Sequence, residues 1–512
     1  MQELSSLSSK KGKGGKIKIK SHAVLTAGLV FLALPVLIFV LGWFRLYIAV
    51  PAALLLAGTC VLAVREWRKD TTEVEFDILF LIILAVFSVV ICLVSDIGEY
   101  MWGTTDHAYR RAVLRDLTDY RWPVIYDLAN QTDPVSSSYL GTGRVAFSYY
   151  VTYWMVPSLA GKVAGFEAGN FILLLYSAAG IFLTVITSCF FLRKQSYALL
   201  FTLTFFSGLD FIPYMVYGAI GTEDWMWLEG YTRHISMISN INNLMNVFNQ
   251  CIPCWLIVAM LLVQKEKKNI GLTASLMFAF SPWATIGMIP LAIWALLKDK
   301  PKIKALLSIC NIIPPLLILA VYAPSYTANS RAVSVSGPTW SFYDSFGSFA
   351  VGYLMIAAVE ILPFALILWK RFHKMSLFFV TFGSLLLIPL YKVSSQNDFT
   401  MRGTMPALFV VSVLLAGAIN GYISENRKKK NRGSGDLIRL LGYLLLMLVM
   451  SLVAFQMILV TLVSSFDGTE RPDEYIGSFG DINNGFEVDV IDEQFFVRDY
   501  ENTLFYGHLA RR

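Results

Sequence analysis

The chain is a succession of apolar runs near 20 residues long, separated by short polar segments. That is the length a helix needs to cross about 30 Å of hydrocarbon. Apolar runs of strand length are absent, which argues against a β-barrel. Charged residues make up 15% of the chain and hydrophobic ones 56%, against about 25% charged in an ordinary soluble domain. So few charges cannot cover a globular surface with polar groups. The expected fold is an all-α polytopic membrane protein of about 13 membrane segments.

The net charge of +6 is not a nucleic-acid signal, because the basic residues lie in short runs beside apolar ends. Such runs are Lys10 to Lys20, Arg65 to Lys69, Lys265 to Lys268, Lys298 to Lys304 and Arg427 to Lys430. Lysine and arginine gather on the cytoplasmic side of membrane helices. This predicts a basic cytoplasmic tail over 1–21, disordered by composition, a transmembrane region over 22–464, and an acidic extracytoplasmic tail over 465–512. The apolar run after Lys20 is long and lacks a small-residue cleavage site, so it reads as a first span. Expected spans are 22–42, 44–64, 76–95, 169–192, 196–217, 246–264, 302–323, 348–370, 375–392, 405–423 and 437–464. Residues 270–297, centred on Ser281-Pro282-Trp283, are expected to form a short helical pair whose tip stops inside the membrane. Outer loops then fall at 96–168, 218–245, 324–347 and 393–404. Within the first, 144–165 is expected as a helix at the outer face, since a span there would put Arg193-Lys194 outside. The six cysteines lie mostly in apolar runs, and Cys251-Ile252-Pro253-Cys254 has no second pair to make a metal or redox site.

Polar chemistry is concentrated in the outer loops. Asp96, Glu99, Asp106 and His107 follow the third span. A carboxylate there can take a proton from an acceptor hydroxyl. On residue types alone, a plain Asp106–Arg110 pair at i, i+4 is the simpler account. Residues 105–121 place Tyr109, Ala112, Val113, Leu117 and Tyr120 on one side and read as an amphipathic interfacial helix ending before Pro123. Arg110, Arg111 and Arg115 on it suit phosphate, or ordinary headgroup contact. Asn397, Asp398 and Arg402 form a polar island at the mouth of two spans, able to hold a diphosphate or to form only a loop ion pair. Arg233 and His234 offer the same in the second outer loop. Asn249 and Gln250 open a span and either face a cavity or join helices. No nucleotide-binding loop and no HExxH occurs. Charges within spans are few, Glu360 being one, and the sequence shows polarity at the outer mouth and little further in, as a transport path would not.

Leu114-Arg115-Asp116-Leu117 followed by Trp122-Pro123-Val124 resembles the first outer loop of the GT-C glycosyltransferases. So does its acidic opening followed by Asp106-His107. Phe248-Asn249-Gln250 leading to Pro253 and Trp255, and Asn397 to Arg402 leading to Pro406, are similar to motifs of bacterial membrane proteins of that superfamily. The likeness covers roughly 76–423. It implies an inverting enzyme of the bacterial cytoplasmic membrane, N-terminus inside and C-terminus outside. Such an enzyme moves a sugar from a polyprenyl-phosphate donor to a glycan, lipid or protein acceptor on the outer face. Asp106 is the implied base, with Asp96 and Glu99 as competitors. Arg402 is the implied carrier-phosphate ligand, helped by Arg110, Arg111 or Arg233. A divalent metal is left open, since some members need one and some do not. A transporter or flippase, and a polysaccharide polymerase or ligase, are the alternatives.

Overall fold

The computed structural model describes residues 15–128, 143–217, 228–232, 234–299, 301–329, 335–394, 397–428, 434–469, 477–481 and 494–511. Arg233 lies outside them. In chain order the main elements are β1 (Lys16–Lys20), α1 (Ser21–Trp43), α2 (Leu46–Trp67), β2 (Glu73–Asp77), α3 (Ile78–Val94), α4 (Thr105–Asp119), β3 (Ile125–Asp127) and β4 (Arg144–Phe147). There follow α5 (Met155–Ala164), α6 (Phe166–Leu192), α7 (Tyr197–Phe205), α8 (Phe211–Tyr217), α9 (Asn240–Val263), α10 (Ile270–Ser275), α11 (Pro282–Leu297) and α12 (Ile309–Thr327). The rest are β5 (Ser336–Pro338), α13 (Phe346–Ile356), α14 (Leu362–Phe372), α15 (Ser376–Leu387), β6 (Tyr391–Val393), α16 (Asp398–Lys428), α17 (Ser434–Phe466) and β7 (Phe496–Val497).

The protein is an all-α polytopic membrane protein in outline. Among the described residues eight helices are long and apolar enough to cross a membrane, and three shorter apolar ones cover Ile78–Val94, Pro282–Leu297 and Ser376–Leu390. The expected count of about 13 is not reproduced: 76–95 and 375–392 hold only shorter helices, 196–217 is broken, and only the second half of the expected pair 270–297 is one of the three shorter apolar helices. Residues 196–217 divide into α7 and α8 around Gly208, whose φ of +71° needs a residue without Cβ. Residues 270–297 divide at Ser281, whose hydroxyl accepts from the Ala284 amide (3.3 Å) while Pro282 opens α11. Serine before proline is a helix start, so the break there was legible. Residues 144–165 are not one outer-face helix. They are a strand, a tight turn at Val151–Trp154, and the ten-residue α5.

The helix α9 is the hub. It is buried along its length except at Asn246 and Val263, its N-terminal half rich in asparagine and the half after Gln250 apolar. It packs on α6, α16, α11, α7 and α1. Pro253 inside it removes an amide from the ladder, and the backbone leaves helical geometry at Val247 (φ −140°, ψ 42°).

Two small sheets mark opposite ends of α1. Before it, β1 pairs antiparallel with β2, Lys16 facing Asp77 and Lys20 facing Glu73. The alternation of lysine and isoleucine over Lys16–Lys20 is a period-two strand pattern, so this part of the expected disordered tail is ordered. Lys265–Asp70 (3.0 Å), Lys268–Glu66 (3.3 Å) and a Gln195–Asp77 hydrogen bond gather at the same end. Beyond the other end of α1 lies a sheet in the order β3-β4-β7. Its outer strand comes from the C-terminal segment, which is therefore no separate tail. The Arg45 guanidinium donates to the carbonyls of Gly507 (3.0 Å) and Ala510 (3.2 Å). Residues 15–20 and 494–511 thus lie at opposite ends of α1.

Candidate functional site

The helix α4 forms over the expected stretch, with Ala112, Val113 and Leu117 of its expected face buried and Tyr109 and Tyr120 half-buried. It is wrapped rather than laid on a surface, since Leu114 and Asp116 on its other sides are buried too. Lys162 of α5 ends it by donating to the carbonyls of Thr118 (3.1 Å) and Tyr120 (2.5 Å), where a cation suits the helix dipole.

The three carboxylates proposed as base differ sharply in setting. Asp96 is 2% exposed, in left-handed backbone (φ 52°), and accepts from the Met101 amide (3.0 Å). Its other oxygen is 3.7 Å from Nδ1 of His107. Glu99 pairs with Nε of Arg111 (3.1 Å). Both acids therefore hold the turn that leads into α4. Asp106, in the first turn of α4, has a side chain 51% exposed and reaches Arg110 at 3.4 Å. Of the three it alone is open to a substrate.

The arginines separate in the same way. Arg111 faces Glu99, and Arg115 lies over the Phe166 ring (4.6 Å), so both fasten α4 to α6. Arg110 is 7% exposed, and its Nε and Nη1 have no hydrogen-bond partner among the described residues. A buried guanidinium with idle donors costs several kcal/mol unless something meets it. On α16, Arg402 pairs with Asp398 (2.9 Å). Asn397 starts that helix: its side-chain oxygen accepts from the Thr400 amide (3.3 Å), and its amide donates to the His234 carbonyl (2.6 Å). His234 itself is held by Lys392 (3.0 Å) and the Tyr343 ring, so it meets the site through its backbone.

The sites on α4 and α16 converge. The phenol of Tyr149 lies in the field of Asp106, Arg110, Asp398 and Arg402 together. Tyr150 feels Asp398 and Arg402 and is reached by Trp283 at the head of α11. Two i, i+4 acid–arginine pairs, each at a helix start, thus border one pair of tyrosines. Burial raises both phenols above the usual range, so both are neutral donors at pH 7. Sequence reasoning missed them. The signal was the run Phe147 to Trp154, whose aromatics were read only as hydrophobic mass. No hydrogen bond or ion pair among the described residues joins Asn249 or Gln250 to these pairs. They sit deeper in α9, with both amide atoms of Asn249 and Oε1 of Gln250 unpartnered.

A polar chain approaches from α9. Thr104 donates to Asn246 (3.1 Å), Asn246 binds Asn242, and Asn242 donates to Glu229 (2.6 Å). Burial pushes Glu229 up to about 7. Among the described residues no group of three or more His, Cys, Asp or Glu is placed to hold a metal ion.

Burial, reinforced by Arg110, pushes His107 down to about 3, so it is neutral at every working pH. The unfolded chain takes up a proton below about 6.5 and the folded one does not. The stability His107 confers is therefore complete above that value and is lost as pH falls toward 3. Thermal unfolding in detergent is expected to show a midpoint falling from pH 7 to 4.5, with His107→Gln flattening the slope. Equal slopes in both proteins would rule this out. Comparison with protein-family models, curated proteins and solved structures finds no match for this chain.

Proposed function

We propose that the protein is a membrane glycosyltransferase of GT-C type that uses a polyprenyl-phosphate-linked sugar. The observation that carries the reading is the meeting of Asp106–Arg110 with Asp398–Arg402 around Tyr149, across nearly 300 residues of sequence. In this reading the basic end of the bundle faces the cytoplasm, and the site faces the outer side. Arg402 and Arg110 bind the carrier phosphate, and guanidinium suits its bidentate oxygens. Asp106 takes the proton of the acceptor hydroxyl. The acceptor oxygen bonds to the anomeric carbon as the carbon–oxygen bond to phosphate breaks, on the opposite face, giving inversion. The arginines and the neutral Tyr149 phenol stabilise the charge that develops on the leaving phosphate. Donor, acceptor and surrounding lipid are the partners, and the bacterial cytoplasmic membrane is the setting.

The test is sugar transfer by the purified protein from a polyprenyl-phosphate donor. Asp106→Asn and Arg402→Ala are each expected to lower the rate at least about 100-fold, the lower range for loss of one acid–base or charge-stabilising group. Full activity in both rejects the reading. Transport of a lipid-linked glycan is the second reading, and one observation favours it. Polar residues, all buried except the half-buried Asn246, follow α9 inward from Asn240 through Asn242, Asn243 and Asn246 to Asn249 and Gln250, roughly 15 Å of helix. Movement of the lipid across vesicles with no new glycosidic bond selects that reading. Product length separates single transfer from polymerisation or ligation.

A further inference from the structure

The C-terminal segment enters the structure at three anchor points around the site. First, Tyr126 donates to Asp116 (2.6 Å) and the Phe479 amide donates to the same carboxylate oxygen (3.0 Å). This ties residue 479 to α4 and β3. Second, β7 adds to β4, with Ala146 facing Val497, and the Ser148 amide donates to the Phe495 carbonyl (2.8 Å). Third, the last turn is gripped by Arg45, and the Arg511 amide donates to the Trp43 carbonyl (2.8 Å). Between the first two anchors stands the Phe495 ring. It is 2% exposed, 5.6 Å from Tyr109 and nearly parallel to it, 5.0 Å from Tyr149, and 4.5 Å from Phe479.

Tyr109 lies between Asp106 and Arg110 in sequence, and Tyr149 is the phenol those residues share with Arg402. One ring from the end of the chain therefore fills the gap between α4 and the Tyr149 loop. We propose that the segment 494–511 is a strap that completes the site, with Phe495 as a positioning residue that sets the spacing of α4 from Tyr149. This rests on the Tyr149-centred reading of the site. Packed aromatic rings hold their separation because interiors tolerate neither gaps nor excess volume. The local pairing of Ser148 with Phe495 makes the strand and the ring act together.

The test compares full-length wild type, Phe495→Ala and Phe495→Leu in detergent. One arm is hydrogen exchange resolved to peptides. Phe495→Ala is expected to speed exchange in 105–119 and 144–151 together, at least tenfold, with α6 and α9 unchanged. Phe495→Leu, which keeps most of the volume, is expected to fall between, and it stands in if the alanine variant does not fold. Unchanged exchange in either segment overturns the strap. The second arm is binding of farnesyl phosphate in micelles. A tenfold loss in Phe495→Ala supports the strap, and wild-type affinity in a variant with loosened segments overturns it. Failure of the wild type itself to bind rejects the phosphate-site reading, and the exchange arm tells that failure from failure of the strap.

Discussion

Gly287→Ala is expected to destabilise the protein by about 3 kcal/mol or more, at the upper end of overpacking costs. A Cβ on Gly287 falls 1.9 Å from the Gly403 carbonyl oxygen and 2.6 Å from its carbon. Both surfaces are backbone, so no rotamer change relieves the clash. The helices α11 and α16 must separate. Gly403 follows Arg402, and Trp283 stands one turn before Gly287, so the separation also opens the site. Gly58→Ala is the control. It lies inside α2 with nothing within 4 Å of the new methyl, and is expected to gain about 0.5–1 kcal/mol. A thermal or denaturant midpoint for Gly287→Ala within error of wild type would show that the two helices do not cross at these glycines.

Arg110→Ala is expected to cost about 100- to 1,000-fold in transfer rate, the usual loss for a preorganised donor at a developing negative charge. Its effect on folding should have the opposite sign or be near zero. Among the described residues the buried guanidinium leaves Nε and Nη1 without a hydrogen-bond partner, and its ion pair with Asp106, at 3.4 Å, is long. Removing a poorly satisfied buried charge relieves desolvation. Stability gained where activity is lost is the mark of a residue kept for function. Arg111→Ala should behave in reverse, because its ion pair with Glu99 and its place over Phe166 (6.0 Å) hold the turn before α4. It should lower stability and leave most of the rate. Measuring midpoint and rate on both variants decides. Parallel losses in the two would erase the distinction drawn between the arginines.

Much of the site was legible one helix at a time. Asp106 with Arg110 and Asp398 with Arg402 share a helical spacing, and α4 begins where its polar start predicts, whereas α16 begins at Asp398, inside the stretch 393–404 expected as an outer loop. The roles of Asp96 and Glu99 were not legible. Before folding they are equal to Asp106 as bases. Burial beside His107 commits Asp96, and Arg111 commits Glu99. The importance of Tyr149 was hidden for the same reason, since its neighbours come from α4, α16 and the chain's end. The seam at Gly287 depends on two backbones that sequence places far apart.

The sequence by itself determined that this chain lives in a membrane, most of the segments apolar enough to cross, and where α4 and α11 begin. Those properties follow from contact with solvent and from neighbours three or four residues away. Tertiary structure alone decided which carboxylate stays open and which arginine keeps two donors without a partner among the described residues. It also decided that residues 106, 149, 402 and 495 occupy one corner. Desolvation and long-range packing set those outcomes, and neither is a property of any short stretch of chain.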